Sequence, residues 1–229
     1  MVAIRAGSIA TPVVEEYLQN IHFMIRDGVP VIAARLAERL RVRPPTVTAT
    51  LQRMERDGLV EHGPYREIRF TELGRQTAED LVRRHALAER LLTDFLKMPW
   101  HEAHEESHGF EHAITPKVEE RLLVALGNPT TCPHGNPIPR LGSLSPDEFP
   151  LDRAAAGETI ALQRITEEAE EDLELMRYLQ SHGVAPGAFL RVAEVARSEQ
   201  RLVLEGDQGR AELDLAAAGK LRAVRASGL

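Results

Sequence analysis

Five of this chain's nine histidines fall between His85 and His112, and no other feature restricts its fold and chemistry so tightly. On a helix over 101–113, His101, His104, His108 and His112 follow one another at i+3, i+4 and i+4, so they line one face. His85 and Glu89 form a further i, i+4 pair upstream, and Glu105 and Glu111 lie beside the rings. Imidazole and carboxylate together are a ligand set for first-row divalent metals. A merely solvated helix has no reason to gather histidines on one face, so the spacing points to a metal site.

Composition narrows the class. With 229 residues the chain has room for two or three small domains, or one large one. Hydrophobic residues at 43% and charged residues at 28% place it among soluble globular proteins. No apolar run approaches a membrane span, and the opening MVAIRAGSIATP lacks a signal-peptide layout, so a cytoplasmic protein without a membrane partner is expected. Cys132 is the only cysteine, which rules out an intrachain disulfide and fits a reducing compartment. Beside Pro133 it reads as a loop residue without a role. The net charge of −7 taken alone argues against nucleic acid, but its distribution does not. Residues 1–75 hold 11 basic residues, every one an arginine, against 9 acidic ones. A phosphate backbone could dock on that segment while the rest stays acidic.

Thr11 is a plausible N-cap with Pro12 at the first helical position, and Val14, Leu18, Ile21 and Ile25 make an apolar stripe that ends at Gly28. Residues 31–42 read as a short helix with Ile32, Leu36 and Leu40 inward. After the break at Arg43-Pro44, Pro45 opens a second helix that closes at Gly58. Two short helices joined by a tight turn form the helix-turn-helix layout. Val47, Leu51 and Met54 face its core, leaving Thr46, Thr48, Ala49, Arg53 and Arg56 outward. Small side chains near the helix start let it approach base edges, and arginines further along grip phosphates. Residues 59–74 read as a hairpin, a wing, with Gly63-Pro64 at the turn and Arg66 at its tip. Thr46, Thr48, Ala49, Arg53, Arg56 and Arg66 are thus the candidate DNA contacts, with Arg43 and Pro45 flanking them at the turn.

Thr71 to Met98 is predicted as one long helix whose Leu73, Leu81, Leu87, Leu91 and Phe95 exceed what a lone helix can bury, which suggests dimer contacts. Another helix runs over 116–127. Residues 128–152, rich in Pro, Gly, Ser and Asn, are expected to be a linker, with His134 solvated in it. Beyond it, Thr159–Ile165 reads as a strand and 168–182 as a helix. FLRVAEVA, RLVLEGD and KLRAVRA read as further strands, together suggesting a small β-barrel.

These residues resemble the diphtheria toxin repressor family of iron- and manganese-dependent transcription regulators over nearly the whole chain. The resemblance is carried by PTVTATLQRMERDGLV, RRHALAERLLTDFL, HEESHGFEHAITPKVEERL and CPHGNPIP. It implies a mainly α fold with a small β part. Its domains would be a winged helix-turn-helix over 1–75, a helical dimerisation and metal-binding domain over 76–145, and an SH3-like (FeoA-like) β-barrel over 146–229. It implies two metal sites per subunit and a homodimer that binds operator double-stranded DNA. By position, the regulatory site would use Glu16, His108, Glu111 and His112. The second would use His85, Glu89 and His104, completed near Glu171, Asp172 or Glu174. Iron-type members carry methionine at the Glu16 position and cysteine at the His108 position, whereas manganese-type members carry carboxylates at both. Glu16 and His108 match neither pattern. The resemblance gives His101 and Glu105 no role, and a solvated helix face is expected for both. Where some members present glutamine to bases, this chain has Ala49, which leaves apolar contact with a thymine methyl.

Two rival functions are weighed against this one. A di-iron metalloenzyme needs two E-x-x-H motifs on long bundle helices, and only Glu105-x-x-His108 is present. H-E-x-x-H is absent too, since Glu105 stands where its second histidine would be. A winged-helix regulator answering to an organic ligand would leave the histidines incidental. Among metals, two carboxylates and two imidazoles without sulfur favour Mn(II), with Fe(II) the alternative.

Overall fold

Pro12 has no backbone N–H to leave unsatisfied at a helix start, and Thr11 before it is extended, so the first helix, α1, runs Pro12–Arg26. The structure, a computed structural model, describes residues 11–226. The N-terminal stretch read above for a targeting layout therefore lies mostly outside the described residues. Val14, Tyr17, Leu18, Ile21 and Met24 are buried, whereas Ile25 is 49% exposed because the buried stripe ends with Met24. Among the described residues no helix is long and apolar enough to cross a membrane.

The chain divides into two compact units, Met1–Val82 and Arg83–Leu229. In the first, α1 is followed by α2 (Ala33–Arg39) and α3 (Pro44–Arg56). Arg43 is extended, the conformation favoured before a proline, and α3 opens at Pro44, one residue before the expected start. Val47, Leu51 and Met54 join Leu18, Ile21 and Leu36 in one core. Strands β1 (Val60–His62) and β2 (Ile68–Phe70) pair antiparallel. The tip between them, Pro64–Arg66, is a 3-10 turn with Tyr65 and Arg66 left-handed.

Helix α4 (Glu72–Arg90) ends earlier than predicted. Thr93 hydrogen-bonds back to the Glu89 carbonyl at 2.9 Å, and Leu91–Phe95 winds as a π turn rather than continuing the α-helix. Phe95 and Leu96 are left exposed. Helix α5 (Trp100–Phe110) carries the histidines and tightens into a 3-10 turn at Glu111–Ala113. Thr115 caps α6 (Pro116–Ala125).

The stretch expected to be a linker is packed. Cys132, His134, Asn136 and Ile138 are buried in alternation, the period of a strand, and Thr131 bridges Pro137. Cys132 and Ile138 pack with Ala86 and Leu87 of α4. On its other side the Ile165 amide donates to the His134 carbonyl at 2.9 Å. Gly135 has φ +86°, and a Cβ there would lie 2.1 Å from the Gln163 carbonyl oxygen, so only glycine fits.

The remainder is a six-stranded antiparallel sheet. Its strands are β3 (Phe149–Pro150), β4 (Thr159–Ile165), β5 (Phe189–Ala196), β6 (Arg201–Gly206), β7 (Gly209–Asp214) and β8 (Leu221–Arg225), in the order β3-β8-β4-β5-β6-β7. Ile160, Leu162, Val192, Leu202, Leu204 and Leu221 form its core. The helix predicted over 168–182 is two: α7 (Glu167–Glu170) and α8 (Leu173–Ser181). Asp172 separates them by accepting from the Leu175 amide at 3.0 Å, which makes it an N-cap rather than a helix interior. Strand β7 escapes sequence reading because only Ala211 and Leu213 of it are buried. Helix α9 (Leu215–Gly219) leads from β7 into β8.

Candidate metal centre and nucleic-acid interface

Helix α4 places His85 one turn before Glu89, and both are buried. Helix α5 crosses them with His104, Ser107 and His108. His85 Nε2 lies 3.3 Å from Glu89 Oε1 and 3.4 Å from His104 Nδ1, and its Nδ1 lies 2.6 Å from Glu111 Oε2. His104 Nδ1 is 3.1 Å from Glu89 Oε1. The His108 ring sits 4.9 Å from that of His85 and 4.8 Å from that of His104, centre to centre. His85, His108 and Glu111 can bring one donor atom each within 4.8 Å of one another. His112, one residue beyond Glu111, is exposed, with Nε2 4.0 Å from Glu111 Oε1.

The C-terminal contribution differs from the expected one. Glu171, Asp172 and Glu174 are all exposed. Glu167 and Glu170 of α7 are buried and face the histidines instead. The run TEEAEEDLE offers carboxylates at nearly every position, so sequence cannot choose the register. The short helix from Thr166 makes the choice by turning residues 167 and 170 inward. Glu170 Oε2 lies 3.1 Å from His104 Nδ1 and 2.9 Å from His134 Nδ1.

His134 and Cys132 are the residues the sequence reading missed. His134 is buried, not solvated, with Nδ1 3.4 Å from Glu89 Oε1 and Cys132 Sγ 3.9 Å away. Its Nε2 donates to the Trp100 carbonyl at 2.9 Å, so Nδ1 is the atom that could serve a cation once its proton is displaced. Glu89, Cys132 and His134 form one potential ligand group, and Glu89, His104 and Glu170 another. The signal was the alternation of Cys132, His134, Asn136 and Ile138, masked by the intervening prolines and glycine. His101 is not merely solvated either: its Nδ1 lies 2.7 Å from Gln180 Oε1. Glu105 is exposed, as expected.

Electrostatics tests whether a cation fits. Burial alone would drive His85, His104 and His134 neutral, but the carboxylates outweigh it. Glu89 and Glu111 hold His85 well above the usual imidazole range, Glu170 and Glu89 do the same for His134, and His104 rises to about 9. Burial likewise opposes ionisation of Glu89 and Glu170, yet His134 keeps both below the usual carboxylate range. His108, facing those rings, is pushed down to about 4 by burial and then by His85 and His104. Burial and Glu89 push the Cys132 thiol up to about 12. Glu89 is 1% exposed and its Oε2 has no hydrogen-bond partner. An orphaned buried carboxylate oxygen among imidazoles suits a divalent cation, which would replace the protons these rings otherwise hold.

In the first unit, Arg43, Pro45, Thr46, Thr48, Ala49, Arg53, Arg56 and Arg66 are all exposed. Thr48 Oγ1 donates to the Pro44 carbonyl at 3.1 Å, which folds its hydroxyl onto the helix, and Arg53 reaches Thr11 Oγ1 at 2.6 Å. His62 of β1 lies 3.9 Å from Glu55, so the hairpin runs beside α3. Glu16 is exposed on α1.

Comparison with known proteins agrees with this geometry. Residues 10–68 match the family model of the iron dependent repressor N-terminal DNA binding domain. Residues 71–140 match its metal binding and dimerisation domain, and 149–224 match the FeoA domain. The chain is 38% identical over 205 residues to the iron-dependent repressor IdeR of Mycobacterium tuberculosis, covering 85% of this chain and 89% of that one. It is 35% identical over 224 residues to the diphtheria toxin repressor of Corynebacterium glutamicum, covering 92% and 96%. A solved manganese-dependent transcriptional repressor in complex with manganese superposes with a TM-score of 0.82 at 30% identity, covering 93% of this chain and 99% of that one. The manganese regulator SloR gives 0.75 at 26% identity, covering 94% and 100%. Such relatives and such a fold are those of DNA-binding regulators, not of enzymes. The chain belongs to the diphtheria toxin repressor family of metal-dependent transcriptional repressors.

Proposed function

We propose that this protein is a homodimeric cytoplasmic repressor that binds a palindromic operator when loaded with Mn(II), and so controls genes of metal homeostasis. The observation that carries the reading is the buried cluster of carboxylates and imidazoles with Glu89 Oε2 left without a hydrogen bond. Two sites per subunit are assigned. The regulatory one comprises Glu16, His108, Glu111 and His112. The deeper one comprises His85, Glu89 and His104, with Glu167 and Glu170 taking the part expected of Glu171, Asp172 and Glu174. His134 and Cys132 stand next to it as further donors.

When bound, the metal supplies positive charge that several acidic and imidazole donors can share. The chain's own residues do the rest. Glu16 belongs to α1 of the DNA-binding unit, and His108, Glu111 and His112 belong to the histidine helix and the turn after it. Shared ligation would tie these elements together and fix the recognition helices of a dimer for two half-sites. Thr46, Thr48 and Ala49 then meet base edges, with Pro45 beside them, while Arg43, Arg53, Arg56 and Arg66 hold phosphates. Metal and DNA binding strengthen each other by the same factor, typically about 1–3 kcal/mol.

Manganese is placed ahead of iron because the regulatory set holds two carboxylates and no sulfur, and oxygen-rich sets suit Mn(II). Zinc binds such donors more tightly in absolute terms, so selectivity must come from geometry. An ion content with four ligands can bind without recruiting Glu16. The relatives include both iron- and manganese-dependent repressors, which keeps Fe(II) as the second reading. The test is operator binding titrated with Mn(II), Fe(II), Co(II) and Zn(II), using DNA selected from a random pool. Mn(II) is expected to activate at the lowest free concentration at which DNA-binding closure occurs. Metal-free protein that binds the same DNA equally well would refute the linkage. Activation by Fe(II) with Mn(II) ineffective would transfer the assignment to iron.

A further inference from the structure

We propose that Asn136 sets the metal preference of the deep cluster by holding Glu170 to a single donor oxygen. The inference rests on the metal-responsive reading above. Asn136 is 2% exposed, and every polar atom of its amide is engaged. Its Nδ2 donates to the Ile165 carbonyl at 2.7 Å and to Glu170 Oε1 at 2.7 Å. Its Oδ1 accepts from Arg164 Nη1 at 3.2 Å. Flipping the amide would turn its N–H groups toward a guanidinium that can only donate, and its oxygen toward two acceptors, so the orientation is fixed.

Arg164 is itself buried and is anchored in turn. Its Nε donates to Glu148 Oε2 at 3.1 Å and its Nη2 to Glu148 Oε1 at 2.6 Å, a two-pronged pair that neutralises its charge. The relay runs from Glu148 through Arg164 and Asn136 to Glu170, and it divides the Glu170 carboxylate. Oε1 is occupied by Asn136. Oε2 alone faces His104 Nδ1 and His134 Nδ1, at 3.1 and 2.9 Å.

A carboxylate divided in this way offers a cation one bond instead of two. Low ligand counts suit zinc, which is satisfied with four. Hard ions that prefer six oxygen-rich positions gain most from a second carboxylate oxygen. Asn136 therefore limits the advantage that manganese could take from Glu170. Partners that orient a ligand in this way typically change metal affinity by about tenfold or more when removed.

Full-length wild type, Asn136→Val and Arg164→Lys should be titrated with Mn(II) and with Zn(II) against a chelating indicator, with the unfolding temperature of each metal-free protein recorded. Asn136→Val frees Glu170 Oε1. Arg164→Lys keeps the charge opposite Glu148 but gives up the planar fork, which loosens Asn136 without deleting it. The ratio of manganese to zinc affinity is expected to rise about tenfold in Asn136→Val and about threefold in Arg164→Lys. A purely structural role would weaken both metals equally, and that result overturns the proposal. If Asn136→Val does not fold, an unchanged ratio in Arg164→Lys overturns it. A wild-type chain that takes up neither metal would remove the metal-responsive reading as well, whereas normal uptake with an unchanged ratio would sink this inference alone.

Discussion

His22 lies on α1 with its ring edge-on to Phe23 at 6.1 Å, and burial, then Arg26, push its pKa down to about 4. An unfolded histidine titrates near 6.5, so between those values the unfolded chain binds the extra proton and the folded chain does not. Stability is therefore fully present above about pH 6.5 and falls as pH drops toward 4, by roughly 3 kcal/mol at most. Chemical unfolding of wild type and His22→Gln from pH 7 to pH 4.5 should show a shallower loss in the variant. Parallel curves would assign the acid sensitivity elsewhere. His104 works in the opposite sense for the metal. Its folded pKa is about 9, so a cation must displace a proton from it at neutral pH. Manganese uptake should strengthen from pH 6.5 toward pH 9 and release protons into the buffer, which calorimetry in buffers of different ionisation enthalpy would detect.

Among the elements, α3 is the one whose outward face sequence alone could draw. Its apolar positions Val47, Leu51 and Met54 are buried, and the residues between them are exposed apart from the half-buried Thr50. Arg53→Ala or Arg56→Ala should weaken binding to all duplexes alike and make the salt dependence shallower by about one unit of slope. A loss confined to one base pair of the operator, with the slope intact, would contradict phosphate contact. The histidine helix was legible as far as Phe110, where i+3 and i+4 spacing holds for His101, His104 and His108, but His112 falls in the 3-10 turn beyond it. The ligand partners of that helix were not legible. The glutamate run before α8 has no periodicity that separates Glu167 and Glu170 from Glu171 and Glu174, and only the Asp172 cap breaks it in the right place. The Cys132–Ile138 segment hid a strand-like alternation inside a composition that reads as linker. There the decisive constraint is tertiary: Gly135→Ala would press a methyl onto the Gln163 carbonyl. Strain and clash together should cost more than about 2 kcal/mol. Thermal unfolding of the metal-free protein measures that cost, and a loss below about 0.5 kcal/mol would mean the segment is not clamped.

At the scale of the whole molecule, the chain has two compact units, and among the described residues every clustered donor belongs to the second. A ligand stabilises only the unit that binds it, by an amount set by its concentration relative to its dissociation constant. Chelation should therefore lower the calorimetric transition of the unit from Arg83 onward by several degrees and leave that of the DNA-binding unit closer to its original position. An equal fall of both transitions would mean that metal also stabilises the first unit directly, as ligation by Glu16 requires. The charge distribution belongs to this scale too. Its basic surplus lies within residues 1–75 of a chain whose net charge is −7, so loss of the second unit should increase nonspecific attraction to DNA.

His85 stands between two groups of donors, with Nδ1 toward Glu111 and Nε2 toward Glu89 and His104. A neutral imidazole has one lone pair and one N–H, so it cannot be a base on both sides at once. Once Nε2 is engaged as a ligand, the proton is confined to Nδ1, where it completes a hydrogen bond to Glu111 and orients that carboxylate. A cation held at Nε2 would thus decide the tautomer, and the tautomer would prepare Glu111 in the proposed regulatory site. Loading should follow a sigmoid rather than a hyperbola, which would let the repressor answer a narrow window of metal concentration instead of a broad one.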